Sequence, residues 1–220
     1  MNAPIPSLPP DPAARLTAAA ERLTHKSVLR PGDSISIRLA GQGALLLREI
    51  GQAGESVHVP LAPLSHDETI ARHQRLYAAR GDVGAITFTR QTWAAALRWT
   101  GQAMPGVFDE QVRHLGRQVG MLSRTCATAD DLKKLNSGAN AFLLDDEVMC
   151  LGMTVERLVF NTELLEKCAK AYVLACSTDL PVGRIPWWVR YIANRRLRKD
   201  EQRAAAAFAA GQEPVMSSAY

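Results

Sequence analysis

The sequence predicts an α/β domain in which helices cover a central, mainly antiparallel sheet. Three observations predict it. Elements follow one another as helix, strands, helix, strand, helix, helix, hairpin and long helix. The strand candidates are short and separated by glycine-containing turns, whereas the helical stretches carry apolar residues on one face. The chain has 220 residues, 47% hydrophobic and 22% charged, which suits one sizeable domain that buries a core without disulfides or metals.

The elements read as follows. Residues 1–12 hold five prolines and no apolar period, and read as a flexible lead-in. From Pro12 onward, Leu16, Ala19, Ala20 and Leu23 repeat at helical spacing. Ser34–Leu39, Ala44–Ile50 and Ser56–Leu61 read as strands, with turns such as Ala40-Gly41-Gln42-Gly43 between them. His66–Ala79 is a helix with Ile70, His73, Leu76 and Tyr77 on one face, and Val83–Thr89 is a buried strand. Arg90–Gly101 reads as one helix closed by Gly101. Thr128 and Asp131 form a variant capping box for the helix Ala129–Leu135, which Gly138 can end. Asn140–Leu144 and Val148–Met153 pair as a hairpin around Asp145-Asp146-Glu147. Thr154 opens a long helix to Cys176, with Leu165, Cys168 and Tyr172 in register, and Pro186–Ala210 is helical, basic first and alanine-rich afterwards. The domain is expected over residues 13–200, with an alanine-rich tail over 201–220.

Composition excludes several classes. The net charge of +4 and pI near 9.0 are mildly basic, and much of the excess lies near the C-terminus. Cys126, Cys150, Cys168 and Cys176 form no C-x-x-C pair, so a zinc ribbon or redox motif is not expected. Cys150, Cys168 and Cys176 sit in apolar segments as small buried hydrophobes, and a reducing compartment follows. There is no secretory leader pattern and no apolar run approaching ~18 residues, so a cytoplasmic protein is expected.

Several segments together resemble the class II aldolase/adducin family. His73-Gln-Arg-Leu-Tyr77, then Arg80-Gly-Asp82-Val83-Gly84-Ala85-Ile86 and Thr89, are similar to its His-x-x-Ile-Tyr, Arg-Pro-Asp-Val and Ala-Val-Val-His-Thr-His core. Ser34-Ile-Ser36-Ile-Arg38 fits its Gly-Asn-x-Ser-x-Arg strand. Ala141-Phe-Leu-Leu144 with Gly152-Met-Thr154 resembles its Ala-Leu-Leu, Asn-His-Gly and Gly-x-Thr segment, and Thr162–Ala169 resembles its Leu-Glu-x-x-Ala helix. The likeness runs in order from about Ala13 to Ser177. It implies a three-layer αβα fold around a mainly antiparallel sheet, commonly a homotetramer. It also implies, in the family's enzymes, a zinc ion on three histidines with a glutamate as acid/base for carbon–carbon cleavage of sugar phosphates.

Carried over position by position, that site is not kept. The paired histidines fall on Phe88 and Arg90, the third on Asp146, and the following glycine on Glu147. Phenylalanine has no lone pair for a metal, and arginine keeps its proton at physiological pH. A guanidinium about 4 Å from a divalent ion costs ~8 kcal/mol at an effective dielectric near 20. The acid/base glutamate, four residues before His73 in the family pattern, falls on Thr69, and the neighbouring Glu68 is rotated by about 100° on the helix. The phosphate-binding Thr-Pro-Ser-Gly falls on Arg48-Glu-Ile-Gly51, and the Asn of the strand motif on Ser34; Gly51 and Ser65 are what remains. No metal is therefore expected. Arg90 is expected to be the fixed positive charge of the cleft, paired with Asp146 or holding a small anion at a site drawn from Ser34, Arg48, Gly51, Ser65 and Arg90.

Other candidates read as structure. His25, His58, His66, His73 and His114 show no ligand spacing. Arg184, Arg190, Arg195, Arg196, Arg198 and Lys199 interleave with Trp187, Trp188 and Tyr191. There the aromatics and Ile192 are expected to dock the helix on the body or a neighbouring subunit while the arginines face water, without nucleic acid or membrane as partner. Pro105–His114 reads as a loop-to-helix transition beside the cleft, with Asp109 as a cap. Two functions are open: a non-catalytic, oligomeric binding or interaction protein, as adducin-type members of the family imply, or a lyase on a phosphorylated or acidic carbonyl compound with a rearranged site.

Overall fold

The structure, a computed structural model, describes residues 11–52, 56–178 and 181–215. The expected lead-in falls almost wholly outside these residues, as does the end of the expected tail. Eight strands form one sheet: β1 Ser34–Leu39, β2 Ala44–Glu49, β3 Val57–Pro60, β4 Ala85–Thr89, β5 Met104–Pro105, β6 Gln118–Met121, β7 Ala141–Leu144 and β8 Glu147–Gly152. Their order is β3-β2-β1-β4-β8-β7-β6-β5, antiparallel throughout except for the parallel pair β6 and β7.

Alternation along the strands gives the sheet two apolar faces. Ile35, Ile37, Ala85 and Cys150 face α1 (Pro12–His25) and α6 (Val155–Cys176), meeting Leu16, Leu23, Leu158 and Leu165. Leu45, Leu47, Ile86, Phe88, Met149 and Leu151 face the other way, against Leu76 and Tyr77 of α2 (Glu68–Ala79) and Leu135 of α5 (Ala129–Leu135). Helix, sheet and helix thus make three layers, as expected.

Local signals set the helix ends. Asp11 caps α1 by accepting from the amides of Ala13 and Ala14, and Pro12 sits where its missing N–H costs nothing. Thr154 caps α6, and the Thr128/Asp131 box is complete in both directions. The helix expected over 90–101 is instead the short α3 (Thr92–Ala96) followed by a 3-10 turn, Leu97–Thr100, that ends at left-handed Gly101. Arg90 lies before it, outside the helix. Helix α4, Asp109–His114, has Asp109 as its first residue rather than its cap. Cys176 is exposed, whereas Cys126, Cys150 and Cys168 are buried.

Helix α7 runs unbroken over Trp187–Ala209, across residue 200. It docks by Asn194, Leu197, Glu201 and Ala204, and Glu213 beyond it meets Arg15 at 2.6 Å. The anchor is the buried Arg80 guanidinium. It grips Asp82 through two bonds of 2.7 Å, donates to the carbonyls of Leu135 and Ala139, and reaches Asn140 and Glu201. A cavity of about 190 Å³ opens beside this contact, lined by Asp82, Asn136, Arg198 and Glu201 among others.

Candidate functional site

Three elements meet at the candidate site: the end of β4, the start of β8 and the first turns of α2. Phe88 pairs with Ser34 on one side and Met149 on the other, so its ring points toward α2. The Arg72 guanidinium lies over that ring, 3.8 Å from its centre, and His73 meets its edge with ring centres 5.0 Å apart. Arg72 donates to Glu147 at 2.7 Å.

On the other side of Glu147 stands Arg90, 3.6 Å from the second carboxylate oxygen. Arg90 is also 3.6 Å from the buried carboxylate of Asp33, and it donates to the carbonyl of Gly32 at 3.1 Å. The hairpin carboxylate facing Arg90 is therefore that of Glu147, one residue beyond Asp146, which sits half-buried in the turn. Alternation explains the difference: Glu147 pairs with Leu144, and both point toward α2. Burial raises the Asp33 carboxyl above its ordinary range, opposed by bonds from the amides of Arg30 and Arg90 and by the Arg90 charge.

His73 belongs to the packing beneath this cluster. Its two ring nitrogens meet the Ser34 and Ser36 hydroxyls at 2.9 and 2.7 Å, and Ser36 also meets the Tyr77 hydroxyl at 2.9 Å. Burial, reinforced by the Arg72 charge, pushes the imidazole down to about 3, so it is neutral.

The expected anion-binding residues are brought together only in part. Gly51 packs on Pro31, beside the loop that carries Gly32 and Asp33; its left-handed backbone and the 2.8 Å that a Cβ would leave to Pro31 require glycine. Ser34 is spent on His73. Arg48 shares a face with Ile35 and donates to Thr17 of α1, on the opposite side of the sheet. Ser65 is held in a separate turn by Gln74. Thr69 is half-buried one helical turn before His73. Arg72 and Asp33 were absent from the sequence reading. The signal for Arg72 was its place three residues after Thr69, on the face turned to Phe88. Among the described residues, no group of three or more His, Cys, Asp or Glu side chains could hold a metal ion.

The model of the Class II Aldolase and Adducin N-terminal domain matches residues 20–173. The chain belongs to this family. Solved structures agree on the class II aldolase fold. An L-fuculose 1-phosphate aldolase superimposes with a TM-score of 0.71 at 16% identity, over 86% of this chain and 97% of that one. The L-fuculose-1-phosphate aldolase of Thermus thermophilus gives 0.62 at 18% identity, over 77% and 97%. An aldolase II superfamily protein of Pseudomonas syringae gives 0.64 at 15%, over 93% and 94%. No curated protein matches the chain. At these identities the likeness speaks for the class II aldolase fold. No helix among the described residues is long and apolar enough to cross a membrane.

Proposed function

We propose that this class II aldolase family member is a metal-free binding protein whose cleft recognises a small anion through Arg90. The observation that carries the reading is the Arg72 guanidinium stacked 3.8 Å from the centre of the Phe88 ring. A fixed cation lies against a position where family enzymes present a histidine, and Arg90 adds a second beside it. Zinc does not fit this donor set: a benzyl ring offers no lone pair, and two guanidinium groups repel a divalent ion. Asp33 and Glu147 are already engaged by these arginines.

Arg90 suits anion recognition because it is loosely held. Its side chain is 43% exposed, both its ion pairs stretch to 3.6 Å and one N–H goes to the Gly32 carbonyl, so other N–H groups remain for a carboxylate or phosphate. The assembly is read as a homo-oligomer, a tetramer by family resemblance, in the cytoplasm. The second reading, a carbon–carbon lyase on a phosphorylated or acidic carbonyl compound, draws on the activity in the neighbours' names.

One set of measurements on the purified protein decides between them. Metal analysis should find far less than one zinc per chain, and fuculose 1-phosphate should not be cleaved. Thermal shifts with phosphate and with small dicarboxylates should appear in the parent and be lost in Arg90→Gln. One zinc per chain, or anion binding untouched by Arg90→Gln, would overturn the proposal.

A further inference from the structure

Helix α7 docks by one face and turns the other to solvent. At 100° per residue, the docking residues Asn194, Leu197, Glu201 and Ala204 share one side. Trp187 opens the helix about 20° from Asn194, on the docking side, whereas Trp188, Tyr191 and Ile192 turn away from it over the first two turns. In chain order the four are 73%, 55%, 51% and 48% exposed. Single exposed apolar side chains are ordinary on a protein surface, but three together on one side of a helix mark a contact site. The sequence expectation is that the aromatics and Ile192 dock the helix on the body or on a neighbouring subunit; on the body they do not dock.

The stripe continues in positive charge. Arg195, Arg196 and Lys199 follow on the same outward side, exposed and without an ion pair among the described residues. The helix's own acids do not neutralise them. Asp200 is engaged by Arg113 at 2.6 Å, and Glu201 is buried against Arg80. One ridge thus carries an aromatic end and a cationic end.

We propose that this ridge seats the protein on an anionic membrane surface. The Trp188 indole, Tyr191 and Ile192 enter the headgroup layer while the three cations meet lipid phosphates. The contact is peripheral. Other occupants fit the ridge less well. A second copy stacked in parallel would set like charges against each other, and one stacked antiparallel, with cations over aromatics, would be dissociated by the Trp188/Ile192 variant. The outside of a helix offers a ridge, whereas a docked peptide needs a groove. For single-stranded nucleic acid, Trp187 and Trp188 diverge by about 100° and share no stacking plane, and Ile192 has no role.

Flotation of the full-length protein with vesicles tests this. Vesicles with about one third phosphatidylglycerol should carry it, less so as salt rises, and phosphatidylcholine vesicles should not. At roughly fivefold per cation, the triple variant R195Q/R196Q/K199Q should partition about 100-fold less. Trp188→Ser with Ile192→Ser should abolish binding with the melting temperature unchanged, since both side chains are solvent-facing. In a Trp99→Phe background, tryptophan emission should shift to the blue on adding anionic vesicles. Three results would overturn the proposal. They are no binding at low salt, binding that survives both multiple variants, and a stable oligomer that the Trp188/Ile192 variant dissociates. Retention on a single-stranded oligonucleotide with no affinity for vesicles would transfer the ridge to nucleic acid.

Discussion

Replacing Glu201 by glutamine should make the protein more stable at alkaline pH. Burial pushes this carboxyl up to about 7 from an ordinary 4.5; Arg80 and Arg198 pull it down, and Asp82 and Asp200 push it back up. Arg80 is a weak counter-ion for it, because Asp82 already holds that guanidinium by two bonds of 2.7 Å while Glu201 stands at 3.3 Å. A carboxyl that binds its proton more tightly in the folded chain contributes fully below the unfolded value, near 4.5. That contribution is lost as pH rises through the folded value, near 7. The gap amounts to about 3 kcal/mol, at about 1.4 kcal/mol per pH unit. Glutamine keeps the shape and the neutral form. Urea titrations followed by far-ultraviolet circular dichroism should therefore coincide for parent and Glu201→Gln near about pH 4.5. They should separate toward about pH 8.5, with the variant ahead by up to about 3 kcal/mol. A variant weaker than the parent at alkaline pH would refute the reasoning. It would show an ionised Glu201 whose bond to Arg80 outweighs its desolvation.

Two further predictions concern the site's foundations. A Cβ at Gly84 would lie 2.2 Å from the carbonyl oxygen of Met153 and 2.8 Å from the Phe208 ring. Gly84→Ala should cost on the order of 3 kcal/mol in urea titration, whereas Gly81→Ala, where a Cβ meets nothing within 4 Å, should cost far less. His73 stays neutral because burial and Arg72 hold it down at about 3, so its contribution is complete above 6.5 and is lost as pH falls. Its imidazole proton shifts should stay constant from about pH 8 to about pH 5 in NMR spectra, and a titration in that window would contradict the buried placement.

Local chemistry was legible in the sequence where it decides the structure locally. Thr128 with Asp131, Thr154 before its helix, and the hairpin around Asp145 and Asp146 were all read from side-chain type and spacing. Long-range partners were not. Strand β6 pairs in parallel with β7, so no tight turn announces it, and its exposed Gln118 and Met121 break the apolar pattern. Phe88 and Arg90 were found by register within a motif, but the guanidinium over Phe88 comes from another element. The carboxylate opposite Arg90 depends on which hairpin residue faces α2. The aromatics of α7 suggested docking because large apolar side chains gain most from burial. The docking face instead uses Asn194 and Glu201 beside Leu197 and Ala204, polar residues that a hydrophobic pattern passes over.

The Arg80 hub has a practical corollary for anyone trimming this chain. The family match stops at residue 173, which invites an expression boundary there. Such a cut would strip Glu201 from the guanidinium and remove Leu197 and Ala204, which share a small core with Met153. The helix outside the matched segment is a keystone of the domain, and a fragment ending before it would leave Met153 bare.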